Sequence, residues 1–278
     1  MDLRNKPFNQ HNNMIIPVPS KGQQFKVKVG IRADEPCSIG VRCYDPSRAN
    51  TDFIRRRVPF HNGLFDHGQN GYREFTLPFP LSPDQLLVEF YDKATGRDDN
   101  FEIEKFELKK IEPRAIWAEP EMHRFIEFTL GFALKAGYVS SGMYDSPDGE
   151  FLIQYLPSIT DEHGTSLVTP ARTNRRNGRI QVSQAAFAGY TIPVRVVVLF
   201  HERYHFQIPT RLEKPADLNG IKLSLDLGFP RTEAVYATTQ IFLSHPESVG
   251  AVHAKRVRDA IDFIDQYSAE HHLNFNES

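Results

Sequence analysis

Two histidines four residues apart constrain this chain more than any other feature. His201 and His205 can meet at one point only if the residues between them are helical, because positions i and i+4 share a helix face. The pentapeptide is His201-Glu202-Arg203-Tyr204-His205, so a carboxylate projects beside the pair. It follows a run, Val194 to Phe200, that is apolar but for Arg195, with Thr191 near the N-cap and Pro193 in the first turn. Ile192, Val194, Val197 and Val198 share a face, and Val196, Leu199 and Phe200 fill much of the rest. This helix is therefore expected to be buried on most sides. Two imidazoles and a carboxylate at the end of such a helix are costly unless something satisfies them. A metal ion held by both histidines would do so, and Glu202 then stands where the base for a coordinated water belongs. Core histidines hydrogen-bonded to neighbours are the plainer reading. With 11 His and 18 Glu in 278 residues, chance supplies on the order of 0.03 such pentapeptides per chain.

A catalytic zinc site takes three protein ligands and one water. The metzincin extension needs Gly at position 208 and His at position 211; Ile208 and Arg211 stand there instead. The next helical pattern, Pro230 to Phe242, carries Glu233 in its first turn, 28 residues after His205. Glu233 is the acidic side chain of that run and is expected to be the third ligand. A solvated glutamate favoured by the helix dipole is the alternative. Asp226 and Asp217 are reserve ligands, and Asp226 might instead orient a ligating histidine.

His201, Glu202, His205 and Glu233, with the small residues Ala234 and Ala237, resemble the zincin metallopeptidases. Within these, the closest pattern is the gluzincin arrangement of H-E-x-x-H plus a glutamate on a later helix. The resemblance covers roughly residues 120–278. It implies Zn2+ bound by His201, His205 and Glu233, and hydrolysis of peptide bonds by an activated water. Glu202 would be the general base and would deliver the proton to the leaving amine. Tyr236, one turn beyond Glu233, is the first candidate for stabilising the oxyanion, with His245, His253 and His163 behind it. Arg203 and Tyr204 are expected to serve packing or salt bridges. Some gluzincins carry Asp four residues after the ligating Glu, where this chain has Ala237. The resemblance also implies a mixed sheet before the active-site helix, with an edge strand that binds extended substrate. Phe151 to Leu156 reads as one strand. Ser166 to Arg172 and Arg179 to Gln184 read as a hairpin joined at Asn177-Gly178 by a type I′ turn, with Gly178 to Ser183 nearest the helix.

The first part of the chain has a different period. Phe25 to Val29, Ser38 to Cys43, Arg73 to Leu77, Leu86 to Tyr91 and Phe101 to Leu108 alternate as strands do. Turn formers separate them: Asp34-Glu35-Pro36, Asp45-Pro46, Asn62-Gly63, Asn70-Gly71 and Thr95-Gly96. The chain is thus expected to be α+β, with a β-sandwich module at 1–112 and a zincin-like domain at 113–278 that holds a small mixed sheet and active-site helices. Helical patterns run from Ile116 to Val139 and from Pro246 to Glu270, the last packing on the second core.

Net charge is −2 and pI about 6.6, so no electrostatic argument favours nucleic acid or an anionic membrane as partner. No apolar run reaches the length of a membrane span. Met1 to Pro7 has no apolar secretory segment, and Cys37 and Cys43 read as reduced thiols. A cytoplasmic location is expected, or one within an assembly formed in the cytoplasm. Arg55-Arg56-Arg57 reads as a solvated loop. Arg175-Arg176 falls at the hairpin tip, where it is either solvated or steers an acidic substrate. His61, Asp66 and His67 match no strong metal pattern, and His271-His272 falls in a frayed tail.

Two functional readings follow. One is a zinc-dependent peptidase acting on a peptide or protein, with the β module for targeting, substrate delivery or attachment. The other is a structural or interaction protein, such as a component of a viral particle, that keeps the domain without turnover and meets an assembly partner through the β module. A coincidental motif predicts that the histidines and the glutamate do not converge.

Overall fold

The computed structural model describes residues 13–16, 24–61, 71–81, 85–94, 100–111, 118–208, 213–243 and 251–271. These fall in two compact units, one within Met1–Pro113 and the other within Arg114–Leu273. The architecture is α+β: antiparallel strands first, then a mixed sheet with helices.

The first unit holds strands β1 (Asn13–Ile16), β2 (Phe25–Ala33), β3 (Ser38–Tyr44), β4 (Asp52–Pro59), β5 (Gly71–Phe79), β6 (Leu86–Asp92) and β7 (Phe101–Lys110). They form two antiparallel sheets, ordered β1-β6-β3-β4 and β5-β2-β7. Alternation dictates the layering: Phe25, Val27, Val29 and Ile31 are fully buried while the lysines between them are not. The partner sheet supplies Ile39, Val41, Val88 and Phe90, also fully buried. Phe53 of β4 and Phe79 of β5 bring their rings to 6.1 Å, which joins the two sheets across the core. Arg55-Arg56-Arg57 is part of strand β4 rather than a loop. Asp52 takes the Arg55 guanidinium, Ser38 takes Arg57, and Arg56 lies 5.4 Å over the Phe75 ring. Cys43 is buried in β3, and both cysteines are free. The expected turns at Asn62-Gly63 and Thr95-Gly96, and the residues Asp66 and His67, lie outside the described residues.

The second unit opens with helix α1 (Pro120–Lys135), shorter than the sequence pattern suggests because Pro120 takes its first turn. Strands β8 (Gly142–Asp145), β9 (Leu152–Leu156), β12 (Ala171–Thr173) and β13 (Ile180–Ser183) form a sheet ordered β12-β13-β9-β8, in which β13 and β9 are parallel. A small antiparallel pair, β10 (Ile159–Thr160) and β11 (Ser166–Leu167), interrupts it in sequence. The β12–β13 connection is not a type I′ turn. That turn needs positive φ at two successive residues, and here only Gly178 is positive, at 70°. Asn174 closes the loop instead: its N–H donates to the Arg179 carbonyl and its own carbonyl accepts from Gly178, at 2.8 Å each. A short helix, α2 (Gln184–Phe187), leads to α3 (Ile192–Gln207), and α4 (Glu213–Asp226), α5 (Arg231–Leu243) and α6 (Ala251–Glu270) follow.

Helix α3 is the axis of this unit. Ile192, Val194, Val196, Leu199 and Phe200 are fully buried, so the helix has neighbours on all sides. Arg195 is fully buried too. It donates to the carbonyls of Phe187 at 2.8 Å and Ala133 at 3.1 Å, which ties α1 and α2 to α3. Arg203 pairs with Glu121 and lies about 5 Å from the Phe125, Phe151 and Phe206 rings. Val194, Val197, Ile221, Leu225, Ala234, Ala237, Ala260 and Ile264 make one core shared by α3, α4, α5 and α6. Each valine, leucine or isoleucine among them contributes about 1.5–3 kcal/mol by leaving water. No described helix is long and apolar enough to cross a membrane.

Helix α4 meets α3 at a glycine. A Cβ on Gly220 would stand 2.9 Å from the His201 backbone nitrogen and 3.1 Å from its Cα. Those are backbone atoms, so the helices would have to separate. Gly220→Ala should therefore lower stability by about 1–3 kcal/mol, although alanine is the better helix former by about 1 kcal/mol. Chemical denaturation of the full chain measures it; a neutral or stabilising effect would show that the approach of α4 to α3 is looser than described.

Candidate metal centre

The last two turns of α3 carry His201, Glu202 and His205, and helical spacing brings the imidazoles together as expected. Their ring centroids are 4.6 Å apart at 88°, and their Nε2 atoms face each other at 3.0 Å. The third group is Glu213, in the first turn of α4. Its Oε2 lies 3.3 Å from His205 Nε2 and 3.5 Å from His201 Nε2. One atom from each of the three residues fits within a 4.8 Å cluster.

Asp217 is one turn along α4 from Glu213 and on the same face. It sits behind the pair: its Oδ1 accepts from His201 Nδ1 at 2.9 Å. That bond keeps a ring hydrogen on Nδ1, so in the neutral ring the Nε2 lone pair would face the cluster, the usual outer-shell arrangement for a ligating histidine. Arg256 of α6 clamps Asp217 through two bonds of 2.5 and 2.7 Å and reaches Glu213 at 3.1 Å. Two imidazole nitrogens and one carboxylate oxygen, with an open side on a cavity, could hold a divalent metal ion. His201, His205 and Glu213 would hold it.

Glu202 borders the same cavity, which encloses about 390 Å³. Edge strand β12 fixes it. The Thr173 hydroxyl lies 2.7 Å from the Glu202 carbonyl oxygen and 2.8 Å from its carboxylate Oε2, and with one hydrogen it serves one acceptor at a time. Both β12 and β13 lie against α3, β12 the more extensively.

Glu233 and Tyr236 are elsewhere. The Glu233 carboxylate is buried and accepts the Thr191 hydroxyl at 2.7 Å, at the N-terminal end of α3. His201 stands ten residues along the same helix, about 15 Å away at 1.5 Å per residue. Glu233 cannot reach the histidines, and its partner explains its burial and the lack of a side-chain cap at Thr191. Tyr236 is 44% exposed and does not border the cavity. Asp226 is taken by Lys222 at 2.8 Å and Tyr267 at 2.5 Å. His163 is exposed beside Glu162. His245 and the His253 side chain lie outside the described residues, as does His272. His271 stacks on Tyr267 at 4.0 Å. Arg175, on the β12–β13 loop, brings a guanidinium nitrogen to 3.4 Å from His205 Nδ1.

The electrostatics without an ion follow from the same contacts. Burial opposes charge on His201, but its bonds to Asp217 and Glu213 outweigh that and raise its pKa to about 9. Bonds from His201 and His205 hold the Glu213 carboxyl well below the usual carboxylate range.

No protein-family model matches this chain, and no curated protein matches it. The site stands on its own geometry.

Two predictions follow from the cluster. Glu213→Ala should cost zinc affinity more than the roughly 10–100-fold expected of Asp217→Asn, while Glu233→Ala should leave it unchanged; competition with a chromogenic chelator measures all three. Metal-free stability should depend on pH with a definite sign. A raised folded pKa on His201 gives stabilisation that is complete below the unfolded value near 6.5 and lost as pH rises through about 9, up to about 3 kcal/mol. Denaturation between pH 6.5 and 9.5 should show this decline, His201→Gln should flatten it, and saturating zinc should reverse it because zinc needs the neutral ring. A pH-independent wild type would contradict the assigned ion-pair network.

Proposed function

We propose that the chain is a zinc-dependent peptidase that hydrolyses peptide bonds of a peptide or protein substrate. One observation carries this reading: His201, His205 and Glu213 present three ligand atoms within 4.8 Å at the wall of a cavity that Glu202 also borders. A purely structural zinc is usually closed by four protein ligands and has no use for a neighbouring base. When bound, the ion supplies Lewis acidity that makes water a nucleophile near neutral pH.

The chain's own groups do the rest. Glu202 takes the proton from the attacking water and passes it to the leaving amine. Thr173 holds that carboxylate in place by its hydroxyl, and Asp217 holds His201 in the ligating tautomer. Edge strand β12 has a free side in its sheet, and residues Thr169 to Thr173 border the cavity. An extended peptide paired with that edge would run past Glu202. The zincin resemblance is kept here in its general form, with Glu213 replacing Glu233 eight residues after His205. Tyr236 is not carried forward, since it does not border the cavity.

The free thiols Cys37 and Cys43 suit a reducing compartment, so we place the activity in the cytoplasm or in an assembly formed there. The β unit is the surface for an assembly partner in this reading. The alternative is an interaction protein that keeps the cluster without turnover. It is favoured by the fact that Glu213, Asp217, Arg256 and the two histidines satisfy one another as an ionic network.

Glu202→Gln separates the two. It should keep one zinc per chain and lower peptide hydrolysis by about 10²–10⁴-fold. Hydrolysis at the wild-type rate would refute the assignment of the base, and a wild type that holds zinc but cleaves no peptide in a diverse library would favour the interaction protein.

A further inference from the structure

We propose that Arg175 is the receptor for a carboxylate on the substrate, which makes this site selective for peptides with an acidic group beside the scissile bond. The proposal rests on the peptidase reading for its substrate class. It starts from the one contact of Arg175 among the described residues, the 3.4 Å approach to His205 Nδ1. At 3.4 Å that approach is at the long limit of a hydrogen bond, and it engages one nitrogen of the guanidinium fork. Among the described residues no carboxylate pairs with it.

The loop holds Arg175 in place for this. The Asn174 side chain accepts the Arg176 N–H at 3.0 Å, and the Asn177 side chain accepts the Arg179 N–H at 3.1 Å. Gly178, at φ 70°, rests on the Phe206 ring of α3, where an added Cβ would stand 3.2 Å from the ring. The loop therefore holds the Arg175 backbone beside the cavity, and its exposed side chain borders that cavity within 3.4 Å of His205 Nδ1. A guanidinium so placed binds a carboxylate through two parallel hydrogen bonds.

The charge of the cavity points the same way. Arg172, Arg175 and Arg256 border it together with Glu202, Glu213 and Asp217. With neutral imidazoles these cancel, so a divalent ion leaves the cavity with a net charge of about +2. Arg256 is already spent on Asp217 and Glu213, and Arg172 donates to Gln181 at 2.6 Å. Arg172 and Arg175 are the cations of the cavity that no carboxylate pairs among the described residues, and Arg175 is the one that reaches the histidines. The carboxylate could be an Asp or Glu side chain or the free C-terminus of a peptide.

The test uses zinc-loaded full chain carrying Glu202→Gln, which holds substrate without turning it over. Binding is measured for blocked pentapeptides with a central Glu, Gln or Lys between alanines, each made as C-terminal acid and as amide. The Glu peptide amide should bind at least tenfold more tightly than the Gln peptide amide. If the free acid gives the preference instead, the carboxylate is the terminal one. Arg175→Gln should abolish the preference, Arg175→Glu should turn it toward Lys, and Arg176→Gln should leave it intact. The proposal is overturned if no acidic peptide binds, if the preference survives Arg175→Gln or follows Arg176, or if Arg175→Gln loses its zinc. Loss of zinc would mean that Arg175 acts through His205. Cleavage by the wild-type chain is scored separately. Selective binding with no cleavage refutes the peptidase and leaves the receptor; cleavage with no acidic preference does the reverse.

Discussion

The site depends on how closely α4 lies against α3. Helical spacing alone delivers two imidazoles and a carboxylate to one end of α3, but it delivers no third ligand and nothing to orient the rings. Gly220 lets α4 approach until its missing side chain is replaced by the His201 backbone. At that distance the same face of α4 presents Glu213 to both Nε2 atoms and Asp217 to His201 Nδ1. One close contact thus sets the ligand, the orienting acid and the tautomer together. The aliphatic core of α3 to α6 holds the two helices in that relation, and Arg256 brings α6 into it by clamping Asp217.

Buried charge elsewhere in the unit is spent on structure rather than chemistry. Arg195 satisfies carbonyls of α1 and α2, and Arg203 is enclosed by aromatic rings and Glu121. Each would be expensive to bury unpaired. The partners of Arg195 account for it without a ligand, whereas Arg203 keeps its ion pair but buries its Nε without an acceptor. The cluster at His201 differs because its groups also face a cavity, so the ionic network that satisfies them alone can be exchanged for an ion and a substrate. Protons would compete with a bound metal ion for one set of lone pairs, which would link metal affinity to pH in the way that stability is linked to it.

Much of this was legible in the sequence, and the failures have physical reasons. The sandwich strands and α3 follow from alternation and from Thr191-Ile192-Pro193. Strand β4 was hidden because three successive arginines obscure alternation, although Asp52, Ser38 and Phe75 each take one. Helix α4 was hidden by Pro215 and Asn219-Gly220, which read as loop formers, and by Ile221 to Leu227, which alternates like a strand. The carboxylate that meets both histidines lies on that helix. Glu213 and Asp217 at i and i+4, eight residues after His205, were the available signal. Glu233 was preferred because it is an isolated acid among small and apolar residues. Its isolation reflects a buried bond to Thr191 at the far end of α3. Two acids were exchanged in role as well: Asp217, a reserve ligand, orients His201, whereas Asp226 pairs with Lys222 and Tyr267.

The central claim is that His201, His205 and Glu213 share one zinc ion with an open position. X-ray absorption at the zinc edge of the loaded full chain tests it most directly. The account predicts one zinc per chain with two imidazole nitrogens at about 2.0–2.1 Å and the remaining shell of oxygens at about 2.0–2.2 Å, without sulfur. A shell with sulfur, with one imidazole or none, or a chain that takes up no stoichiometric zinc, would contradict it.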